Sequence, residues 1–441
     1  MHRAEPLPLS IWIVNPFDDI PGEGLPPLRY WSLARVLAGR GHDVTWWTAA
    51  WSHRRKAPRA TPLHTRDDEG FAVRLVAVRP YTKNVSFARL ASHRDFGRTF
   101  ERLANESIAS GQLERPDVIL ASLPPLEGPE AAARLAKRLD ATLVIDLMDV
   151  WPETFERLLP GPKWLRKALY PLLFGRMANR RRGLLESADA VSSAAQGYLA
   201  AMPEATAGDK PRHVCHLGAW VPEFAGPPRL IDEVPNTDAA AAPADQPAAA
   251  PFAAPLACVY SGTLESGQDL DALLAAARIL SAQGIEATLH VAGTGRLESS
   301  LRTAAEAIRG SCAVRVHGLL DRGDYVKLLS ECDVGLVLVK PESLVAVPYK
   351  VCDYTAAGLA LVNSLPGELE QFVAEYRAGV PYTAGNGESL ARAIASLADD
   401  RRRLLDMRQG SRRLAESEFD REKTYPRFAD WLEGISRGSQ G

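Results

Sequence analysis

The sequence contains few cysteines, and it contains no uninterrupted apolar run of the roughly 18 residues that a membrane-spanning helix needs. The five cysteines are scattered and form no CxxC pair, which argues against a disulfide scaffold and a zinc site and favours a reducing compartment. The first residues, MHRAEPLPLSIWIVN, lack the basic-then-apolar layout of a secretory signal. These absences predict a cytoplasmic protein that is attached at most peripherally to the inner membrane.

Neither sign of charge is in excess, since 52 Lys and Arg residues stand against 54 Asp and Glu residues. The sequence therefore does not indicate a nucleic-acid-binding protein, and any electrostatic preference must be local. The histidines are dispersed, and no Ser-His-Asp order or other nucleophile signature stands out. With 46% hydrophobic and 24% charged residues, the chain has the composition of a globular protein long enough for two domains.

Short apolar runs alternate with helical patterns along both halves of the chain, which is typical of βαβ units and parallel sheets. The alternation stops at an Ala/Pro-rich stretch, NTDAAAAPADQPAAAPFAAP, which we interpret as a linker or a disordered loop. The predicted fold is α/β, with two doubly wound domains facing each other across a ligand cleft. The predicted segments are a first domain over 1–222, a linker over 223–255, a second domain over 256–415, and a C-terminal helix over 416–441 that packs back across the domains.

The apolar runs and the helical periodicity also predict individual elements. In the first domain the predicted strands are 9–14, 43–48, 73–78, 118–121, 142–146 and 190–192. In the second domain they are 257–261, 287–292, 314–317, 334–339 and 359–363, separated by helices over 269–283, 296–308, 322–331 and one that begins near Pro348.

Two strand ends in the second domain carry glycines. In SGTLESG, Gly262 lets the backbone approach a ligand closely, and exposed N–H groups beyond a strand form an anion cradle. In AGTGR, Gly293 and Gly295 flank the exit of the next strand. Each segment alone is also compatible with an ordinary strand-to-helix turn.

A third strand end leads into VPYKVCDYTAAG, residues 347–358. If Pro348 lies in the first turn of a helix, Lys350 and Asp353 share one face near its positive end. Such an end attracts phosphate, the ammonium adds a point charge, and the carboxylate can accept both hydroxyls of a ribose. A surface ion pair on a capped helix is the alternative, and the recurrence of three such strand ends in one domain makes it less favoured.

Six stretches of the chain resemble the family 4 glycosyltransferases, which are retaining nucleotide-sugar enzymes with two Rossmann-like domains (the GT-B fold). The resemblance is greatest to the branch that builds bacterial surface polysaccharides, and the DVWPE run and the helix ending in AAG are its more specific signals. The stretches follow the family order along nearly the whole chain: IWIVNPFDDIPGEGLPPLRYWSLARVLAGRGHDV, ILASLPPLEGPEAAARLAKRLDATLVIDLMDVWPE, ADAVSSAAQGYLA, YSGTLESGQDLDALLAAA, LHVAGTGRLESSL and VPYKVCDYTAAGLALV.

The resemblance implies a metal-independent enzyme without a cofactor that moves a sugar from a nucleotide-sugar donor to a glycan or lipid-linked acceptor. It implies a role in lipopolysaccharide or exopolysaccharide biosynthesis, and a UDP-sugar is slightly preferred over a GDP-sugar as the donor. Asp353 stands where the family keeps an acid against the ribose, and Lys350 would meet the pyrophosphate; Asp149 and Glu153 of DVWPE would lie at the cleft edge and complete the candidate catalytic set. The implied donor-binding residues are Gly262, Thr263, Gly293, Gly295, Arg296, Tyr349, Glu342 and His317. The implied cleft-lining residues of the first domain are Gly22, Glu23, Gly24 and Arg29.

The chain departs from the family pattern at two places. Many members carry a Glu-x7-Glu pair, whereas here the second position is Asp353 and the first is Val345, with Glu342 as a candidate substitute. The basic residue usual in the loop after the first strand of the nucleotide domain is also missing, because TLESGQD holds no Lys or Arg. Lys350 and Arg296 must then neutralise the pyrophosphate.

The stretch KWLRKALYPLLFGRMANRRRG, residues 163–183, interleaves basic and large apolar residues. A helix of this kind can lie on an anionic membrane, where each cation contributes about 1 kcal/mol. A second basic and aromatic stretch, residues 79–98, adds to this hypothesis, because family acceptors are often linked to a polyprenyl diphosphate. The alternative for residues 163–183 is a helix with one buried face and one solvated basic face.

Three other functions remain compatible with this sequence. A sugar-nucleotide epimerase or a phosphorylase can share the two-domain architecture. A non-catalytic partner subunit can keep the fold and lose part of the site, and the absent first acid and absent loop cation motivate that alternative.

Overall fold

The structure, a computed structural model, describes residues 8–24, 27–59, 64–66, 70–202, 205, 208–224, 254–341 and 343–438. The chain divides into two compact units, of which the first comprises Met1–Leu217 with Glu422–Gly441 and the second comprises Gly218–Arg421. Most of the segment predicted as a linker, residues 225–253, lies outside the described residues, and so does Glu342.

The first unit is built on an eight-stranded sheet in the order β10-β9-β8-β7-β1-β2-β6-β5. All neighbouring strands run parallel except β5, which pairs antiparallel with β6. The strands are β1 Ser10–Val14, β2 Asp43–Ala49, β5 His64–Arg66, β6 Ala72–Val76, β7 Val118–Leu123, β8 Thr142–Leu147, β9 Ala190–Ser193 and β10 Arg212–Val214, and a separate two-stranded ribbon pairs β3 Trp51–Ser52 with β4 Ala57–Pro58.

The central strands of this sheet are buried along their whole length, as expected for parallel strands covered on both faces. The helices of the unit are α1 Arg29–Gly39, α2 Phe87–Ala109, α3 Glu127–Leu139, α4 Lys163–Ser187, α5 Gln196–Ala201 and α13 Arg421–Gly438, with a 3-10 turn at Glu153–Leu158. Helix α13 places Tyr425, Phe428 and Leu432 in the same core as Ile11 and Trp46, so the end of the chain completes the core of the first unit.

The second unit contains a six-stranded, wholly parallel sheet in the order β13-β12-β11-β14-β15-β16. Counted from its first strand this order is 3-2-1-4-5-6, the arrangement of dinucleotide-binding folds. The strands are β11 Leu256–Ser261, β12 Ala287–Ala292, β13 Cys312–Gly318, β14 Val334–Val337, β15 Ala360–Asn363 and β16 Gly379–Pro381. The helices are α6 Leu270–Ala282, α7 Glu298–Glu306, α8 Arg322–Ser330, α9 Tyr349–Ala356, α10 Glu368–Glu375, α11 Gly387–Asp399 and α12 Arg401–Leu414, with a 3-10 turn at Val221–Phe224 and a π turn at Ala415–Phe419.

The sequence predicted the long apolar strands to within a few residues and missed the shortest ones. Strands β10 and β16 have three residues each and hold too few apolar side chains for a periodic signal. The predicted strand over 334–339 ends earlier, at Val337, and Val339 forms an isolated bridge with Gln268.

Candidate functional site

The sheet of the second unit changes the direction of its strand order between β11 and β14. Ligands of open α/β sheets bind outside the carboxyl ends of the strands at such a point, because the loops of the two strands diverge there and leave a crevice. The loop after β11, the loop after β12 and the start of α9 all lie at these carboxyl ends.

The two glycine loops approach each other through their backbones. Gly262 and Gly293 both have φ near +140°, a conformation that suits glycine. A Cβ on Gly293 would lie 1.8 Å from the carbonyl oxygen of Gly262, and a Cβ on Gly295 would lie 2.5 Å from the carbonyl oxygen of Leu264. Gly293 and Gly295, predicted to bind the donor, therefore have a structural role: the lack of a side chain lets the neighbouring loop approach.

Lys350, in the first turn of α9, points toward the first glycine loop. Its Nζ lies 4.0 Å from the centroid of the Tyr260 ring, and a Cβ on Gly262 would come within 2.9 Å of that nitrogen. Among the described residues no carboxylate pairs with Lys350, and burial lowers the pKa of its ammonium to about 7. The cation that is missing from TLESGQD is thus supplied to the same loop by α9.

Asp353 does not share the immediate surroundings of Lys350, although the two lie on the same helix. Its carboxylate accepts hydrogen bonds from both terminal nitrogens of Arg322, at 3.0 and 3.3 Å, and Arg322 also pairs with Glu223. Burial raises the pKa of Asp353, and the charge of Arg322 opposes that increase. The predicted ribose acceptor is therefore held in place by an arginine that sequence reasoning missed, at the first position of the helix after β13.

A tyrosine network, also missed, fixes the second half of α9 against the end of β11. The fully buried Tyr354 accepts a hydrogen bond from the Ser261 N–H at 2.6 Å, and the Ser261 hydroxyl lies 3.0 Å from the Tyr325 hydroxyl. Gly335 on β14 makes room for this tyrosine, since a Cβ there would lie 2.4 Å from the ring. The network sets the position of Lys350 relative to the glycine loop.

The remaining candidates of the second unit differ in their surroundings. Arg296 is exposed and pairs with Glu265 of the first glycine loop at 3.2 Å, so its charge is already balanced by a neighbour.

His317 stacks on His290 with ring centroids 5.2 Å apart, in the strands rather than in the loops. Thr263 is exposed, and its carbonyl oxygen accepts from the Tyr260 hydroxyl. Tyr349 is the first residue of α9.

The sequence analysis placed Arg29 among the cleft-lining residues, and the structure corrects this. The Arg29 side chain is fully buried and does not line an open surface. Its Nε and Nη2 bind both oxygens of Asp146 at 2.7 and 2.9 Å, and its Nη1 donates to the Cys215 carbonyl. Tyr30 and Ser192 donate to the same carboxylate. Burial alone would raise the pKa of Asp146, but the charge of Arg29 and these hydrogen bonds outweigh it, so that the pKa lies below its usual value. The pair holds α1 to β8 and is structural.

The other acidic candidates of the first unit are also engaged. Glu23 is buried, pairs with Arg59 and accepts from the Ile20 N–H, while Gly22 and Gly24 form the surrounding turn with positive φ. Glu153 pairs with Arg181. Asp149 accepts from the Trp151 indole N–H at 3.1 Å and from the Val150 N–H.

The charged candidate residues differ in whether a partner of opposite charge lies beside them. Partners of opposite charge lie beside five of them, namely Arg29, Glu23, Glu153, Arg296 and Asp353. Lys350 has no such partner among the described residues. A cation beside a glycine loop at a helix start is chemically suited to bind a phosphate anion. No group of three His, Cys, Asp or Glu side chains suited to a metal ion occurs within the described part of the chain.

The strand order and the loop geometry define a doubly wound α/β protein whose second unit has the form of a nucleotide-binding domain. The sequence matches two family models: "Glycosyl transferase 4-like domain" over residues 28–218 and "Glycosyl transferases group 1" over residues 247–414. The chain is a glycosyltransferase of the GT-B type, and each half of it matches one glycosyltransferase domain.

Solved structures share this fold at low sequence identity. HepE of Anabaena, solved with UDP and glucose, has a TM-score of 0.62 and 14% identity, with 96% of this chain and 99% of that chain covered. Sucrose-phosphate synthase of Thermosynechococcus elongatus has a TM-score of 0.70 and 14% identity, with coverages of 98% and 100%. WaaG, a glycosyltransferase involved in lipopolysaccharide biosynthesis, has a TM-score of 0.60 and 13% identity, with coverages of 95% and 98%. No curated protein matches the sequence.

None of the described helices is both long enough and apolar enough to cross a bilayer.

Proposed function

We propose that this glycosyltransferase takes a nucleotide sugar, with UDP as the preferred nucleotide, and transfers the sugar with retention of its anomeric configuration. The observation that carries the proposal is the position of Lys350, whose ammonium lies beside Gly262 and above the Tyr260 ring without a carboxylate partner among the described residues. The donor diphosphate would be the anion that balances it. The complexes of HepE with UDP and with UDP-glucose support the choice of donor.

The donor is expected to bind by its diphosphate and by its ribose at two different points of α9. Lys350 and the amides of the Gly262 loop would hold the diphosphate, because preformed donors stabilise the charge that develops on the leaving group. Asp353, oriented by Arg322, would accept the ribose hydroxyls with the lone pairs that the arginine leaves free. The Glu265 carboxylate pairs with Arg296, so it does not oppose the diphosphate with its full charge.

Binding experiments with the intact chain test this assignment. Calorimetric and thermal-shift titrations with UDP, GDP and their sugars are expected to give heat and stabilisation, with UDP the tighter of the two nucleotides. In Asp353→Asn the affinity for UDP should fall about tenfold, the loss expected for a hydrogen bond to a charged group, while the affinity for inorganic pyrophosphate should not change. Asp324→Asn, an exposed acid on the neighbouring helix α8, is the matched control.

The outcomes separate the competing functions. Absence of any nucleotide binding would support a non-catalytic partner subunit. Isomerised donor formed without an acceptor would support an epimerase, whereas free nucleotide formed only when an acceptor is present supports transfer. An inverted anomeric centre in the product, read from its NMR coupling constants, would contradict retention.

We further propose that the acceptor is a lipid-linked glycan of a bacterial polysaccharide and that the chain meets it at the inner membrane surface. Helix α4 supports this, because Trp164, Leu172 and Leu173 are exposed by 71%, 80% and 61% and lie among the exposed cations Lys163 and Lys167. Apolar side chains among cations suit an anionic bilayer surface. The likeness of the fold to WaaG is consistent with such a pathway.

Co-sedimentation with vesicles that contain phosphatidylglycerol tests the membrane proposal. The wild-type chain is expected to pellet with these vesicles and not with neutral ones. Leu172→Ser combined with Trp164→Ser should reduce pelleting, whereas Leu319→Ser, at a site of equal exposure in the second unit, should not. Equal pelleting of the two variants would rule α4 out as the contact.

A further inference from the structure

A group of basic side chains lies at the carboxyl edge of the sheet of the first unit, apart from the residues discussed so far. We call it the cationic cluster and define it by His53 and Lys56, which follow β3, and by Arg89 and His93 on α2. The rings of Phe17, which follows β1, and Trp151, which follows β8, flank it. This sheet changes direction between β1 and β7, so the cluster lies near the switch point at which α/β sheets bind ligands.

Arg89 is held between two aromatic rings. Its guanidinium carbon lies 5.3 Å from the centroid of the Phe17 ring and 5.3 Å from that of the Trp151 ring. One terminal nitrogen donates to the Asn84 carbonyl at 2.7 Å, and the buried Nε has no hydrogen-bond partner among the described residues. Partial burial lowers the pKa of Arg89, which means that its charge is costly in this position.

Lys56 and His53 form the opposite side of the cluster. The ammonium of Lys56 lies 5.0 Å from the centroid of the Tyr81 ring and 3.2 Å from the His53 Nδ1, and it donates to the Asn84 side-chain oxygen and to the His53 carbonyl. All of these partners are neutral. The His53 Nδ1 lies 2.6 Å from the Tyr81 hydroxyl. Burial and then the charge of Arg89 lower the pKa of His53 to about 3, so the imidazole is neutral at ordinary pH.

His93 is the most deeply buried member of the cluster, with 3% of its surface exposed. Its Nε2 has no hydrogen-bond partner among the described residues, although its ring lies 5.6 Å from that of Phe17 and 6.2 Å from that of Trp151. A buried polar nitrogen without a partner lowers the stability of the fold, so it is expected to bind something that the chain itself does not supply.

The charges of the cluster are not balanced by the chain. Within the part of the chain that the structure describes, none of the four side chains of the cluster forms an ion pair, since no carboxylate oxygen lies within 4.0 Å of their nitrogens. Asp149 is the carboxylate whose charge acts on Arg89, and it is already engaged by the Trp151 indole and the Val150 amide. The fully or nearly buried arginines Arg29, Arg59 and Arg181 of the same unit each have a carboxylate partner.

We infer that the cationic cluster is a binding site for a phosphoryl group carried by the acceptor. The two basic side chains Arg89 and Lys56, together with the two buried nitrogens without partners (Nε of Arg89 and Nε2 of His93), match a tetrahedral anion that carries up to two charges and several acceptor oxygens. The aromatic rings keep the site partly dry, which strengthens the attraction. This inference rests on the proposed transferase function for the identity of the molecule that brings the phosphoryl group, but not for the existence of the site.

The site can be tested with inorganic pyrophosphate as the probe, in the intact chain and without donor or acceptor. The ring signals of His53 and His93 in histidine-labelled protein, assigned with His53→Gln and His93→Asn, should shift on titration, because an anion bound beside the rings changes their hydrogen bonding and the local electric field. In Arg89→Met the affinity should fall at least about tenfold, as expected for loss of a charge-assisted contact. Lys56→Met should weaken binding in the same direction, and Arg94→Met, an exposed arginine on the same helix, should bind like the wild type.

Lys350→Met separates this site from the proposed donor site, and the histidine shifts should persist in that variant. The inference is overturned if pyrophosphate leaves both histidine signals unchanged, if Arg89→Met binds like the wild type, or if Lys350→Met abolishes the shifts. An equal response to acetate would overturn the assignment to a phosphoryl group. A chain that binds pyrophosphate at the cluster and transfers no sugar would contradict the proposed function and leave the site intact.

Discussion

Arg29 and Lys350 each lie in the first turn of a helix that follows a strand of a parallel sheet, one in each unit, and their surroundings are opposite. Arg29 is fully buried, and every nitrogen of its guanidinium donates to an oxygen of the same unit. Lys350 is half-buried, rests on a tyrosine ring, and has no carboxylate partner among the described residues. A basic residue whose charge the chain balances belongs to the structure, and one whose charge it leaves unbalanced is available to a ligand.

The same contrast holds within each unit. Arg322 orients Asp353 in the second unit, and Arg59 fixes Glu23 in the first. Lys350 and the cationic cluster, in contrast, combine cations with aromatic rings and neutral oxygens. Desolvated cations of this kind lower the stability of the free protein, and they persist where a bound anion restores the balance.

The largest expected effect concerns the buried ion pair between Arg29 and Asp146. Arg29→Met should lower the free energy of unfolding by about 3–5 kcal/mol, because it leaves Asp146 buried without its partner. Urea denaturation followed by circular dichroism measures the change. Arg102→Met removes an exposed pair with Glu106 and should cost no more than about 1 kcal/mol. A loss for Arg29→Met as small as that of the control would show that the pair is not structural.

A second prediction concerns the glycine loops that border Lys350. Gly293→Ala introduces a Cβ at 1.8 Å from the Gly262 carbonyl and places alanine at a φ of +140°, so the two loops must separate. We expect a loss of stability of about 1–3 kcal/mol and a loss of UDP affinity of more than about tenfold. Gly267→Ala in the same loop region is the control, because no atom lies within 4 Å of its Cβ. Normal UDP binding by Gly293→Ala in a titration calorimeter would show that loop contact does not shape the donor site.

The third prediction uses the pKa of Lys350. Lys350→Met should weaken UDP binding by about tenfold to a hundredfold at neutral pH, the range expected for a hydrogen bond from a charged group. Because the pKa of the free ammonium is about 7, its charged fraction falls as pH rises through that value, and the UDP affinity of the wild type should fall with it. The affinity of Lys350→Met should vary less between about pH 6 and about pH 9, because this variant lacks the titrating ammonium.

The lowered pKa of Lys350 also predicts that the stability of the protein depends on pH. The pKa of Lys350 lies below its ordinary value of 10.5, so between about 7 and 10.5 the unfolded chain binds more protons than the folded one. The stability of the wild type relative to Lys350→Met should therefore rise with pH across this window. The free energy of unfolding of both proteins is measured at a series of pH values. If the difference between them stays constant across this window, the pKa of Lys350 is not lowered.

Much of the fold could be predicted from the sequence because long apolar strands and glycine-bounded helices are local signals. The strand Ala287–Ala292 was predicted with its exact limits, and helix Arg322–Ser330 was predicted to within one residue. The three-residue strands at the sheet edges were missed, since their pairing depends on neighbours that are distant in sequence.

The candidate site could be predicted only in part. Lys350 and the glycines of the loops could be named as candidates because a helix start after a buried strand and a glycine after a strand leave a pattern in the sequence. Arg322 was missed although it begins a helix after β13, since nothing local indicates that it reaches Asp353, which lies 31 residues away in the sequence. The cationic cluster was missed for the same reason, because its members come from separate segments of the first unit.

The sequence by itself determined the alternation of strands and helices, the absence of a charge excess and the residue types available for binding an anion. Only the tertiary structure decided which of those charges find a partner, because ion pairing depends on distances of a few ångströms between segments that are remote in the chain. Arg29 and Lys350 are both basic residues at helix starts in the sequence, and the fold alone makes one a buried structural group and the other a candidate ligand contact.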